Sequence, residues 1–133
     1  PLEQRIYAGS DIFLMPSRSE PCGLNQMVAM RYGAVPVVHA TGGLADTVQD
    51  YDARTGSGNG FSFDRYDSMA LFAALARATE IYRNKEIWRQ LMRRCMMADF
   101  SWASSAEKYV DLYYRALAAR RQANRPLSEY ALT

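Results

Sequence analysis

The chain has 133 residues, of which 49% are hydrophobic and 23% charged, an ordinary composition for a globular protein. Its formal net charge of +2 gives no indication of a nucleic-acid or membrane partner, and no stretch approaches the roughly 18 apolar residues that a membrane span requires. Because the sequence begins at Pro1 rather than at a methionine, we expect it to be a fragment of a longer protein.

The cysteines and the histidine form no pattern typical of a metal site. Cys22 and Cys95 lie far apart without CxxC spacing, and His39 is the only histidine. We therefore predict neither a disulfide scaffold nor a zinc site. Cys95 falls within an apolar helical pattern, which predicts a core residue.

The first predicted elements are the end of a helix, a strand and a loop. Residues 1–10 are typical of the end of a helix. Residues 12–15 form an apolar run closed by Pro16, which is typical of a buried parallel strand. A polar loop over residues 17–23 follows.

A short helix is predicted next, with Gly33 in the position of its C-terminal cap. Its apolar residues are Leu24, Met27, Val28 and Met30. The second strand is predicted over residues 35–38. Pro36 should lie at the beginning of that strand, because proline removes one donor from the sheet.

Residues 41–43, Thr-Gly-Gly, follow the second strand directly and lead into a predicted helix over residues 44–48. A loop rich in glycine and aspartate spans residues 51–60. Residues 61–63 form a third short predicted strand.

The remainder of the chain is predicted to be helical, because apolar residues repeat at helical spacing along three faces. These faces are Leu71, Leu75, Ala78 and Tyr82; Trp88, Leu91, Met92 and Cys95; and Ala106, Tyr109, Val110, Tyr113 and Leu117. Ser104 and Glu107 have the spacing of a capping box at the start of the last helix. A polar tail is predicted over residues 118–133.

The order of these elements predicts an α/β fold with parallel strands, flanking helices and a helical C-terminal part. Three strands are few for a doubly wound sheet. We therefore expect a partial Rossmann-like domain whose other strands lie upstream of Pro1.

Two loops occupy the place where open α/β sheets bind ligands, beyond the carboxyl ends of the strands. They span residues 17–24 and 39–44, and each leads into a helix whose N-terminal N–H groups suit an anion. Gly42 and Gly43 are compatible with phosphate or sugar binding, and equally with a role confined to shaping the turn.

Individual side chains in these loops also have alternative interpretations. Glu20 could cap the following helix or accept hydrogen bonds from sugar hydroxyls. Cys22 is a weak candidate for a nucleophile, because no histidine accompanies it in sequence. His39 is predicted to end the second strand as a polar cap rather than to act as a general base.

Four ordered motifs resemble those of one family. Residues 16–26 read PSRSEPCGLNQ, which is similar to the PSRFEPCGLxQ segment of glycogen and starch synthases. Further matches are Tyr-Gly at 32–33 before Val-Pro at 35–36, TGGLADTV at 41–48 and FSW at 100–102. Over residues 8–117 the chain resembles bacterial and plant-type glycogen (starch) synthases.

The resemblance implies a retaining GT-B glycosyltransferase, in which two Rossmann-like domains face each other across a cleft. Residues 1–117 would be the C-terminal part of the donor-binding domain. The family transfers glucose from ADP-glucose to the non-reducing end of an α-1,4-glucan and requires no metal or other cofactor. The resemblance also implies a location in the bacterial cytoplasm or in a plastid.

By position, the resemblance makes Glu20 the catalytic carboxylate, placed against the donor sugar. Val28 stands where related retaining transferases often carry a second glutamate, which favours the synthase branch. The residues implied to bind the donor are Cys22, Gly23 and Leu24 at the glucosyl hydroxyls, and Thr41, Gly42 and Gly43 near the phosphates.

The implied partners are ADP-glucose, with UDP-glucose as the alternative donor, an α-1,4-glucan and a missing N-terminal domain. The family's basic phosphate-binding pair would lie upstream of Pro1, so we expect the fragment alone to be inactive. Two alternatives stay open. One is a non-catalytic α/β binding or scaffold module, and the other is a retaining GT-B transferase with a different donor.

Overall fold

The computed structural model describes residues 1–123, which belong to two units: Pro1–Ala98, and a second unit that begins at Asp99. The elements of the first unit are α1 (Leu2–Gly9), β1 (Ile12–Met15), α2 (Asn25–Arg31), β2 (Val35–His39), α3 (Gly43–Thr47), β3 (Phe61–Phe63), α4 (Ser68–Arg83) and α5 (Lys85–Met97). The second unit contains α6 (Trp102–Ala123).

The three strands form one parallel sheet in the order β1-β2-β3, which confirms that the strands are parallel, as predicted. Ile12 pairs with Val35, and Val37 pairs with Phe61. All residues of β2 are buried, because it is the central strand and both of its faces are covered. Pro36 is tolerated in this strand because its missing donor would face β3, which begins to pair only at Val37.

The core of the first unit lies between the sheet and helices α4 and α5. Phe61 stacks on Trp88 with ring centroids 6.4 Å apart, and Tyr82 meets Trp88 edge-on at 5.1 Å. Such aromatic pairs add about 0.5–1.5 kcal/mol beyond the area they bury. Leu91 continues the buried face of α5, and Ala78 that of α4. The apolar faces predicted for both helices are therefore confirmed.

Cys95 is a core residue, as its place in the helical pattern predicted. Its thiol donates a hydrogen bond of 3.0 Å to the Asn59 carbonyl, and burial raises the pKa of the thiol to about 12. Cys22 is exposed, and both cysteines are free. Cys95 therefore contributes packing rather than a reactive thiolate.

Helix α2 buries a different face from the one predicted. Leu24 and Val28 are exposed. The buried residues are Gln26, Ala29 and Met30. Of the apolar residues that indicated this helix, Met30 is therefore a core residue, whereas the polar Gln26 takes a core position that Leu24 and Val28 do not. Gly33 does end the helix, with φ of +87° in the left-handed region that favours glycine.

Side chains fix the starts of the long helices. Asp67 Oδ1 accepts hydrogen bonds from the Met69 and Ala70 amides at the start of α4, and Asn84 Oδ1 accepts one from the Ile87 amide at the start of α5. Each such cap stabilises its helix by about 1 kcal/mol.

In the second unit, α6 begins at Trp102, and Ser101 Oγ accepts a hydrogen bond from the Ser104 amide. The capping box predicted at Ser104 and Glu107 is therefore wrong, because Ser104 already lies inside the helix. The predicted tail is helical as far as Ala123, and residues 124–133 lie outside the described residues. No helix in the described part of the chain is both long and apolar enough to cross a membrane.

Candidate functional site

The loop after β1 and the loop after β2 meet beyond the carboxyl edge of the sheet. The Gly43 amide donates a hydrogen bond of 3.0 Å to the Glu20 carbonyl and so joins them directly. The sequence predicted that both loops lie at this edge. It did not predict that they bind each other.

Gly42 and Gly43 permit this close approach. A Cβ atom on Gly42 would overlap the Glu20 carbonyl oxygen, and one on Gly43 would overlap the Cys22 carbonyl oxygen. Gly42 also has a φ of +47°, which side chains other than glycine rarely adopt. The packing of one loop on the other therefore requires both glycines. A contact of these residues with phosphate stays a prediction.

Some backbone N–H groups at this edge donate hydrogen bonds within the protein, and others do not. Within the protein, bonded amides are those of Thr41 to the His39 carbonyl, Gly43 to the Glu20 carbonyl and Leu44 to the Thr41 carbonyl. Among residues 1–123, the amides without a protein acceptor include those of Cys22, Gly23, Leu24 and Gly42. Free N–H groups grouped in this way suit the oxygen atoms of hydroxyl or phosphate groups.

Glu20 is half-buried in the loop after β1. Its Oε2 accepts a long hydrogen bond of 3.4 Å from Ser17 Oγ. Helix α2 begins at Asn25 and has no side-chain cap, so the interpretation of Glu20 as a helix cap is wrong. Among residues 1–123 the carboxylate therefore accepts only this one long hydrogen bond, and it keeps most of its capacity to accept others.

The other predicted binding residues lie on the same two loops. Gly23 is buried with a φ of +70°, and Leu24 is exposed at the N-cap of α2. Thr41 is half-buried and directly precedes Gly42. The exposed Cys22 side chain is therefore near the site, but the predicted contact is through its backbone amide.

His39, the last residue of β2, does more than end the strand. Its Nδ1 lies 2.8 Å from the Ser17 carbonyl oxygen, and its Nε2 lies 3.2 Å from the Asp64 carbonyl oxygen. The ring of Tyr66 packs against the imidazole, with centroids 5.2 Å apart. Both nitrogens face carbonyl oxygens, which only accept, so the neutral ring donates to one of them. His39 packs between the loops after β1 and β3 and is not placed as a general base.

Gln26 is a residue of this site that the sequence reasoning missed. It is fully buried on α2, and its Nε2 bonds both the Gly23 carbonyl and Thr47 Oγ1. One signal could have found it: Gln26 lies three and four positions before Ala29 and Met30, on the face that packs inward. Within the described residues, no three His, Cys, Asp or Glu side chains are grouped as a metal site.

Residues 4–94 match the family model of glycosyl transferases group 1. The chain belongs to this family. The site described above lies within the matched residues, and the parallel α/β architecture is that of a GT-B glycosyltransferase domain.

Curated relatives of this chain include glycogen synthases. The chain is 58% identical to that of Desulforudis audaxviator over 117 residues, 87% of this chain and 23% of the relative. It is 59% identical to that of Geotalea daltonii over 119 residues, 90% of this chain and 25% of the relative. The resemblance to glycogen synthases is confirmed, and the chain spans about a quarter of the length of these relatives.

Two solved structures also match this chain. The catalytic domain of starch synthase IV from Arabidopsis thaliana, bound to ADP and acarbose, matches with a TM-score of 0.76 and 46% identity. The match covers 88% of this chain and 24% of that chain. Sucrose-phosphate synthase from Thermosynechococcus elongatus matches with a TM-score of 0.58 and 29% identity over 86% of this chain and 27% of that chain.

Proposed function

We propose that this group 1 glycosyl transferase chain supplies part of the donor site of a glycogen or starch synthase. The reaction is transfer of glucose from ADP-glucose to the non-reducing end of an α-1,4-glucan, with retention of configuration. The observation that carries the proposal is the direct contact of the two motif-bearing loops, which gathers Glu20 and several free amides at one edge of the sheet.

Glu20 is the proposed catalytic residue. A carboxylate here accepts hydrogen bonds from the donor sugar and offsets positive charge that develops at the anomeric carbon as the diphosphate leaves. Its half-buried position supports this role, because a partly desolvated carboxylate interacts more strongly with a nearby charge than an exposed one does.

The backbone amides have two proposed roles. Those of Cys22, Gly23 and Leu24 donate to glucosyl hydroxyls. The Gly42 amide donates to a phosphate oxygen, and Thr41 lies beside it. Gly43 acts indirectly, because its own amide is already bonded to Glu20. Backbone amides and basic side chains would offset the diphosphate charge without a metal ion.

The domain organisation and partners are also part of the proposal. Residues 1–117 belong to the C-terminal part of a donor-binding domain, and residues 118–133 form its tail. An N-terminal domain supplies the acceptor side, and the location is the bacterial cytoplasm or a plastid. UDP-glucose is the alternative donor.

Elongation assays on a full-length synthase that carries this chain test the function. We expect ADP-glucose to extend a maltooligosaccharide primer, with release of ADP, and UDP-glucose to compete less well. Extension from UDP-glucose alone would favour a transferase with a different donor. Donor binding without any extension would favour a non-catalytic module.

The chain by itself is expected to give no glucan synthesis. It spans about a quarter of its curated relatives, and the resemblance assigns the basic phosphate-binding pair to upstream sequence. The measurement is ADP release and primer extension by the purified chain, with the full-length synthase as the positive control. Clear turnover by the purified chain would show that it holds a complete active site.

A further inference from the structure

The two loops of the proposed donor site are joined by a closed ring of hydrogen bonds that includes Gln26. Its Nε2 donates to the Gly23 carbonyl over 2.7 Å and to Thr47 Oγ1 over 3.0 Å. Thr47 Oγ1 donates to the Gly43 carbonyl over 2.7 Å. The Gly43 amide donates to the Glu20 carbonyl over 3.0 Å. The backbone from Glu20 to Gly23 closes the ring.

The direction of every bond in this ring is determined. The carbonyl oxygens of Gly23 and Gly43 can only accept. Thr47 has given its proton to Gly43 and must therefore accept from the amide nitrogen of Gln26. Both hydrogens of that nitrogen are thus used inside the ring, and no rotated amide or alternative hydroxyl orientation satisfies the same atoms.

This arrangement leaves the Oε1 atom of Gln26 buried without a partner among the described residues. The two hydrogen bonds that Nε2 donates, rather than the oxygen, therefore account for a glutamine at this buried position. Gly23 accommodates the amide, because a Cβ at that position would lie only 2.7 Å from Nε2.

We infer, on the basis of the proposed function, that Gln26 is a positioning residue that holds the loop of Glu20 and Gly23 against Gly43. Gln26 does not touch the donor. It sets the position of the Glu20 carboxylate and the Gly23 amide relative to the free amide of Gly42. Thr47 is the second member of this link.

Substitutions of similar shape in the full-length synthase test the inference. Gln26→Met and Thr47→Val each remove one hydrogen-bonding group and keep the volume. We expect kcat to fall about tenfold to a hundredfold in each, because small displacements of a reacting geometry can cost about a hundredfold in rate. KM for a primer should change little.

Two comparisons separate positioning from packing. Thr47→Ser keeps the hydroxyl and should retain near-parent kcat, whereas Thr47→Val should not. The double variant Gln26→Met/Thr47→Val should be no slower than the slower single variant, because both break the same link. A kcat within about twofold of the parent in Thr47→Val, or equal losses in Thr47→Ser and Thr47→Val, would overturn the inference. If Gln26→Met does not fold, the two Thr47 variants decide alone.

Hydrogen exchange separates failure of the inference from failure of the proposed function. The Gly43 amide depends on the ring for its bond to Glu20, so it should exchange faster in Thr47→Val than in Thr47→Ser. This measurement needs no catalysis. Unchanged exchange would overturn the inference even in an active synthase, whereas faster exchange in a protein without synthase activity would overturn only the proposed function.

Discussion

Replacing Glu20 with glutamine is expected to lower kcat by about a hundredfold in a full-length synthase that carries this chain. The substitution keeps the shape of the side chain and removes its charge. Loss of one electrostatic contact made in the transition state typically costs on the order of a hundredfold in rate. KM should change less than kcat, because the lost interaction strengthens as the diphosphate departs.

The structure also makes the stability of this variant informative. Glu20 does not cap α2, and the one side-chain hydrogen bond that it makes within residues 1–123, 3.4 Å from Ser17 Oγ, is long. Glu20→Gln should therefore melt near the temperature of the parent. Ser17→Ala is the matched control, because it removes that contact and leaves the carboxylate, and it should keep kcat nearly unchanged. Near-normal kcat in Glu20→Gln would reject the catalytic role.

Replacing Gly43 with alanine is expected to disrupt the donor site as a whole. The added Cβ would overlap the Cys22 carbonyl, a backbone group that cannot move without moving the loop. We expect the free energy of unfolding to fall by about 1–3 kcal/mol, as for other overpacked sites. ADP should bind about tenfold more weakly or worse, a change of only ~1.4 kcal/mol in binding free energy.

Gly9→Ala is the matched control for this substitution, since a Cβ at Gly9 would meet nothing within 4 Å. Calorimetric titration with ADP and thermal unfolding of both variants give the two readouts. An ADP affinity within about twofold of the parent in Gly43→Ala would contradict the role of this contact in donor binding.

Much of the architecture could be predicted from the sequence because it depends on local patterns. A strand buried on both faces is an unbroken apolar run, and such a run identified β2. A helix that packs on one face repeats its apolar residues every three or four positions, and this repeat identified α5. The same reasoning failed for α2, where Gln26 is buried and Val28 is exposed, because a pattern of polarity cannot show which polar group will find partners inside.

By itself the sequence determined the parallel α/β order, the core position of Cys95 and the resemblance to the synthases, all of which depend on residue type and short spacing. Only the tertiary structure decided that Gly43 binds the Glu20 carbonyl and that Gln26 on α2 reaches Thr47 at the end of α3. These contacts join residues that are distant along the chain, so no local periodicity encodes them. Gly42 and Gly43 are likewise required because folding places the backbone of the other loop directly against them.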